Sequence, residues 1–399
     1  MVGVLRAVAA GGMCLLLTAC GSTPDVPSAG PRPPSSTPSS SPPAATSSTH
    51  PPAGPVDAVS TALGKLDLRA EVAQLFVVGV PLDDLDAGAS VVHSGVGGVF
   101  LAGRSAAPAA ELAATTAHWQ ATAPGPHLWI AVDQEGGLVQ TLQGPDFGRL
   151  PSAREQGALP ADRLAELAGK MGADLHRAGI NLDLAPVVDV VPAGTEKSNA
   201  PIGAFGRQYG ATAAAVTAAA RTVVGGLASA GVTATLKHFP GLGRVVGNTD
   251  SSSGVVDPVT GAGDEQVALF GAVGRSPAPP FVMASSATYP RIDPKNEAMF
   301  SSAVLTGLLR DRLGFDGVIL SDDVGTAEAV QHVPPGQRAV RFLRAGGTMV
   351  LTVSSAEVPA MIDEVVATSL RDPAFAETVD AAVRTALEAK ARAGLLSGS

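Results

Sequence analysis

From residue 63 onward, short runs of continuous apolar residues alternate with longer stretches rich in Ala and Leu. Eight runs read as strands: Gln74–Val80, Gly97–Leu101, Leu128–Val132, Ile180–Ala185, Val232–Lys237, Pro280–Ser285, Gly317–Leu320 and Gly347–Val353. They are mostly unbroken rather than alternating, as expected of parallel strands covered on both faces. The stretches between them, such as Pro108–Gln120, Ala161–His176, Ala211–Ala230 and Ser301–Leu313, carry a helical period. Glycines and prolines punctuate the junctions. Strands alternating with helices imply a parallel sheet, and eight such units imply a closed (β/α)8 barrel of the α/β class. No glycine-rich phosphate fingerprint follows any of the runs, so an open dinucleotide-binding sheet is the weaker reading. Two further helices, about Ala356–Thr368 and Ala374–Ala393, end the chain.

Ahead of the barrel the texture differs. Arg6 is followed by an uncharged apolar stretch from Ala7 to Ala19. That stretch is shorter than the ~20 residues a bilayer span needs and fits the core of a signal peptide, assigned here to residues 1–19. Its end, Leu17-Thr18-Ala19-Cys20, resembles the lipobox of bacterial lipoproteins, which makes Cys20 the lipidated mature N-terminus; an ordinary secretory signal cut nearby is the alternative. Residues 20–57 are dominated by Pro, Ser, Thr, Ala and Gly, and no Leu, Ile or Phe lies between Gly21 and Ala62. Such a segment buries too little apolar surface to offset its ordering entropy and is expected to be a disordered linker. At ~3.1 Å per residue where polyproline-like, it could hold the barrel up to about 100 Å from the lipid. The barrel domain is assigned to residues 58–399, in a protein expected to be extracytoplasmic and membrane-anchored.

Composition narrows the functional classes. The chain of 399 residues is 45% hydrophobic and 16% charged, with a net charge of −9. The acidic balance disfavours nucleic acid, whose phosphates attract a basic surface. It also disfavours a polybasic membrane patch. Two cysteines, Cys14 and Cys20, exclude a disulfide scaffold, and the seven His show no zinc-ligand spacing. No metal or organic cofactor is expected, and a monomer is expected.

In a (β/α)8 barrel the active site lies just after the C-terminal ends of the strands. Those positions here hold Gly103-Arg104, Asp133-Gln134-Glu135-Gly136-Gly137, Asp183 with Pro186, Lys237-His238-Phe239-Pro240-Gly241, Met283-Ala284 and Ser321-Asp322-Asp323. Ionisable groups therefore collect at one end. The run Lys237–Gly241 resembles the KHFPG signature of glycoside hydrolase family 3, in its β-N-acetylglucosaminidase branch. DQEGG at 133–137, Leu184–Val190 and Gly314-Phe315-Asp316-Gly317 leading into Ser321-Asp322-Asp323 follow in family order. The match covers roughly Leu63 to Leu351.

The resemblance implies a retaining exo-β-N-acetylglucosaminidase acting on cell-wall saccharides or muropeptides. Asp322 would be the nucleophile, ionised as attack requires, and Asp323 would have a supporting role. Asp133 would accept from sugar hydroxyls, while Lys237 and His238 would donate to the same sugar. Arg207 resembles the family's sugar-contacting arginine. Met283 and Pro186 would line the pocket around an acetamido methyl, and Asp189 and Asp316 would tie strands to loops.

The chain also departs from the family pattern. In this branch the acid/base is a His–Asp pair on the loop after KHFPG. Here that loop, about two residues longer, offers Asp250 for the Asp but Ser252 where the His should be. A serine hydroxyl cannot deliver a proton at neutral pH as imidazolium can. Leu138 and Thr141 replace the arginines usual after DQEGG, and Thr348 replaces the Asp usual at the last strand. Two other readings therefore stay open: a glycosidase for a different sugar, and a saccharide-binding lipoprotein with weak or no turnover.

Overall fold

The computed structural model describes residues 55–396. The signal peptide, Cys20 and nearly all of the expected linker lie outside the described residues. The first helix, Pro55–Leu63, begins inside the segment assigned to the linker. Among the described residues no helix is long and apolar enough to cross a membrane.

Eight parallel strands form the barrel. They are β1 (Phe76–Pro81), β2 (Gly98–Ala102), β3 (Trp129–Val132), β4 (Leu182–Asp183), β5 (Thr233–Phe239), β6 (Phe281–Ala284), β7 (Ile319–Ser321) and β8 (Val350–Thr352). Their spatial order follows the chain, with β8 pairing back onto β1 through Phe76 opposite Val350. Between β7 and β8 the ring is drawn together by a bridge from Leu320 to Met349 and by Ser321 Oγ, which accepts from Leu351 N at 2.9 Å. Each of the eight apolar runs read from the sequence overlaps one of these strands, and four of the strands end one or two residues beyond their run.

The strands are buried on both faces, with side chains such as Phe76, Leu101, Ile130, Leu236 and Leu320 out of reach of solvent. Gly79 is required where β1 crosses β8, because an added Cβ would lie 2.2 Å from Val353 O. Helices cover the outside, among them Ala109–Thr122, Ala161–Arg177, Ala213–Ser229 and Pro335–Arg344. Thr212 caps the helix Ala213–Ser229 by accepting from Ala215 N, and Asp372 caps the terminal helix Pro373–Arg392 ahead of its Pro373. Thr348 sits in the barrel wall, where its Oγ1 accepts from Arg310 Nη2 at 2.9 Å and from Ile319 N at 3.1 Å.

Two short antiparallel ribbons were not apparent in the hydrophobic pattern. One, Gln134–Gly136 with Val139–Gln140, leaves β3; the other, Thr288–Tyr289 with Asp293–Glu297, leaves β6. The first turns at Gly136 and Gly137, whose φ values of 96° and 59° favour glycine. At Gly136 a Cβ would also lie 2.2 Å from Pro151 O.

Candidate active site

The strand ends converge on a cavity of about 220 Å³. Asp133, Arg207, Lys237, His238, Asp250, Met283 and Asp322 all line it, although they come from the strands or following connections of β3, β4, β5, β6 and β7. Pro186 is buried but does not line the cavity, which corrects the expectation that it would help pack an acetamido methyl. Arg104 points elsewhere and donates to Leu138 O at 2.6 Å.

One wall is a charge-balanced network. Lys237 Nζ lies 2.5 Å from Asp133 Oδ1 and 2.8 Å from Glu135 Oε1. Arg207 grips Glu135 with two parallel bonds, Nε to Oε2 at 2.8 Å and Nη2 to Oε1 at 2.7 Å. Two acids and two bases thus share a nearly dry site, the condition under which buried charges are tolerated. Burial opposes the Glu135 charge, but Arg207 and Lys237 overcome it and hold the carboxyl down at about 2. Burial likewise opposes the charge of Lys237, and its two acidic neighbours more than restore it. Asp183, behind them, is fully enclosed. Burial pushes it up to about 8, against one backbone bond from Gln134 N at 3.0 Å and the attraction of Lys237. Its second oxygen has no partner among the described residues.

Sequence reasoning placed Glu135 in a motif but gave it no role. The signal available was an acid two residues from Asp133 at a strand end facing both Lys237 and Arg207. Asn248 and Thr249, which also line the cavity, were not singled out at all.

The opposite wall carries the two adjacent aspartates after β7, and they behave differently. Asp323 spends both oxygens on structure: Oδ1 accepts from Gly325 N at 2.9 Å and Val353 N at 2.8 Å, while Oδ2 accepts from Thr326 N at 2.9 Å and from Thr326 Oγ1. Among the described residues Asp322 accepts only from Asp323 N, at 2.9 Å, and it lines the cavity. Desolvation pushes it up to about 6, with Asp250 adding repulsion and His238 pulling the other way.

His238 is fixed from behind. Its Nδ1 lies 2.8 Å from Asp189 Oδ2, which leaves Nε2 as the ring atom free for a ligand. Asp250 stands on the exposed loop over the cavity. That loop is pinned to the β7 connection, where Glu328 N donates to Asp250 O and Ala329 N to Thr249 O, both at 3.1 Å.

The family model for the glycosyl hydrolase family 3 N-terminal domain matches residues 67–387. The chain belongs to glycosyl hydrolase family 3. It is therefore a glycoside hydrolase by descent. Beta-hexosaminidase LpqI of Mycobacterium tuberculosis is 35% identical over 311 residues, covering 75% of this chain and 76% of that protein. A crystal structure of β-N-acetylhexosaminidase from Beutenbergia cavernae DSM 12333 is 44% identical, covers 82% of this chain and 99% of that one, and superposes with a TM-score of 0.77. A family 3 β-N-acetylglucosaminidase from Paenibacillus sp. str. FPU-7 is 28% identical with a TM-score of 0.74, over 84% of this chain and 64% of that one.

Proposed function

We propose that the protein is a retaining exo-β-N-acetylglucosaminidase that removes terminal β-linked GlcNAc from cell-wall saccharides, with a role in wall turnover. The single observation that carries this reading is the contrast at the mouth of β7. Asp323 is saturated with donors, while Asp322 keeps one oxygen uncommitted toward the cavity. A carboxylate so placed can attack an anomeric carbon and be released again by water. The cavity of about 220 Å³ is smaller than the ~300–1,000 Å³ of sites enclosing drug-sized ligands, which suits one terminal sugar rather than an internal stretch of polymer.

In this reading Asp133 accepts from a sugar hydroxyl while Lys237 and Arg207 hold the acidic wall in place and donate to neighbouring hydroxyls. His238 Nε2 meets the same sugar near Asp322, and Met283 offers an apolar contact to the acetamido group. Asp250 is the acid nearest the leaving oxygen. The relatives named as β-hexosaminidases favour GlcNAc over glucose. Release of nitrophenol from the β-GlcNAc derivative, compared with the β-glucoside, tests the assignment. Faster cleavage of the glucoside would reject it, and binding of GlcNAc without cleavage of either would favour the saccharide-binding alternative.

We further propose that lipid on Cys20 anchors the domain outside the cytoplasmic membrane. Cys20→Ala should then move the protein from the membrane fraction to a soluble or unprocessed form; continued lipid labelling of that variant would reject the anchor.

A further inference from the structure

Large apolar side chains that remain exposed are concentrated on the catalytic face. Among the described residues they are Leu138, Leu159, Phe205, Val246, Val256, Val259 and Leu370. All but Leu370 lie in the connections that leave the C-terminal ends of β3, β4 and β5. Singly exposed apolar residues need no explanation, but clustering around one opening does.

Three of them sit on a continuous rim. Gly137 and Gly206 both pack on Ser152, so Leu138 and Phe205, their chain neighbours, flank one point. Asn199, itself buried, then joins the Phe205 segment to the next loop: it accepts from Gly203 N at 2.7 Å and donates to Val245 O at 2.8 Å. Val246 follows directly and is 71% exposed. The cavity-lining Arg207 and Asn248 are each two residues from a rim member, which sets the apolar rim against the charged interior.

We infer that Leu138, Phe205 and Val246 form an aglycone subsite selecting leaving groups with an apolar face. The inference rests on the exo-β-N-acetylglucosaminidase reading above and adds no chemical step to it. If the cavity holds one sugar and Asp322 attacks from within, the departing oxygen must leave on the opposite side, toward the mouth. Whatever that oxygen carries then lies across the rim. A bare polar sugar gains little from Leu, Phe and Val there. An aromatic group, or a sugar bearing an acyl or peptidyl substituent, gains contact with all three.

The test compares aryl and methyl β-N-acetylglucosaminides, both as hydrolysable O-glycosides and as non-hydrolysable thioglycosides. The proteins are the wild type, the triple variant Leu138→Ser/Phe205→Ser/Val246→Ser, and Leu370→Ser as a control for loss of exposed apolar surface elsewhere. The wild type should bind the aryl thioglycoside more tightly than the methyl one. The triple variant should shrink that ratio on the order of tenfold, the scale of losing a few methylene-sized contacts, while Leu370→Ser leaves it unchanged. The aryl-to-methyl ratio of kcat/KM should fall with it. Equal affinity for the two thioglycosides in the wild type, or an unaltered ratio in the triple variant, would overturn the subsite. Absence of turnover with any O-glycoside would instead reject the hydrolase reading, and the thioglycoside affinities would still decide the rim.

Discussion

Asp189 Oδ2 lies 2.8 Å from Nδ1 of His238, and Oδ1 of the same carboxyl accepts from the backbone N–H groups of His238 at 3.1 Å and Leu242 at 2.7 Å. One buried aspartate therefore fixes both the ring facing the cavity and the start of the loop that carries Asp250. Asp189→Ala would leave these buried donors without an acceptor, at a cost of about 2–4 kcal/mol. Urea denaturation should show the loss as a lower midpoint, and kcat/KM should fall with it. A variant with unchanged midpoint and unchanged kinetics would contradict this role.

Burial pushes the Asp322 carboxyl from its ordinary value of 3.8 up to about 6. If it is the nucleophile, kcat/KM should rise as pH increases through about 6 and level off once the carboxyl is ionised. The stability effect has the opposite sense. Between the ordinary value and about 6 the folded protein holds a proton that the unfolded chain has released, so stability falls as pH rises through that window. Asp322→Asn removes this penalty. At pH 7 it should be inactive yet more stable than wild type, by about 1–3 kcal/mol. Denaturation midpoints at pH 4.5 and pH 7 check the sign, since the gain should be much smaller at the lower pH.

Asp250 is the only acid between Arg244 and Gly254, and no imidazole stands on this loop. Any acid catalysis supplied by this loop must then come from Asp250. Asp250→Ala should cost about 10²–10⁴ in kcat on substrates with a sugar leaving group and little on nitrophenyl glycosides, which leave without protonation. Equal losses on both substrate types would show that Asp250 is not the acid. Ser252→His is the converse test, and a gain confined to sugar leaving groups would support the alignment of this loop with the family's His–Asp pair.

Much of the barrel is legible in the sequence because parallel strands buried on both faces read as unbroken apolar runs, of which Leu128–Val132 around Trp129–Val132 is an example. The two ribbons after β3 and β6 escape this reading. Asp293–Glu297 is polar apart from Pro294, and Val139–Gln140 is only two residues long. Asp133, Lys237, His238, Met283 and Asp322 could be named because they lie at strand ends, and Arg207 and Asp250 through the family resemblance. Their partners could not. The bidentate bond of Arg207 to Glu135 joins residues 72 positions apart, and only the folded barrel brings them together. Pro186 shows the converse limit: it follows a strand end, yet it is buried away from the cavity lining.

The most direct measurement of the central claim is trapping of the covalent intermediate. A fluorinated, slowly turned-over N-acetylglucosaminyl donor should inactivate the enzyme. Peptide mass mapping should then find the sugar on one peptide, attached to Asp322, and Asp322→Asn should take up no label. Label on Asp323 instead, or full activity with no labelled peptide, would contradict the account.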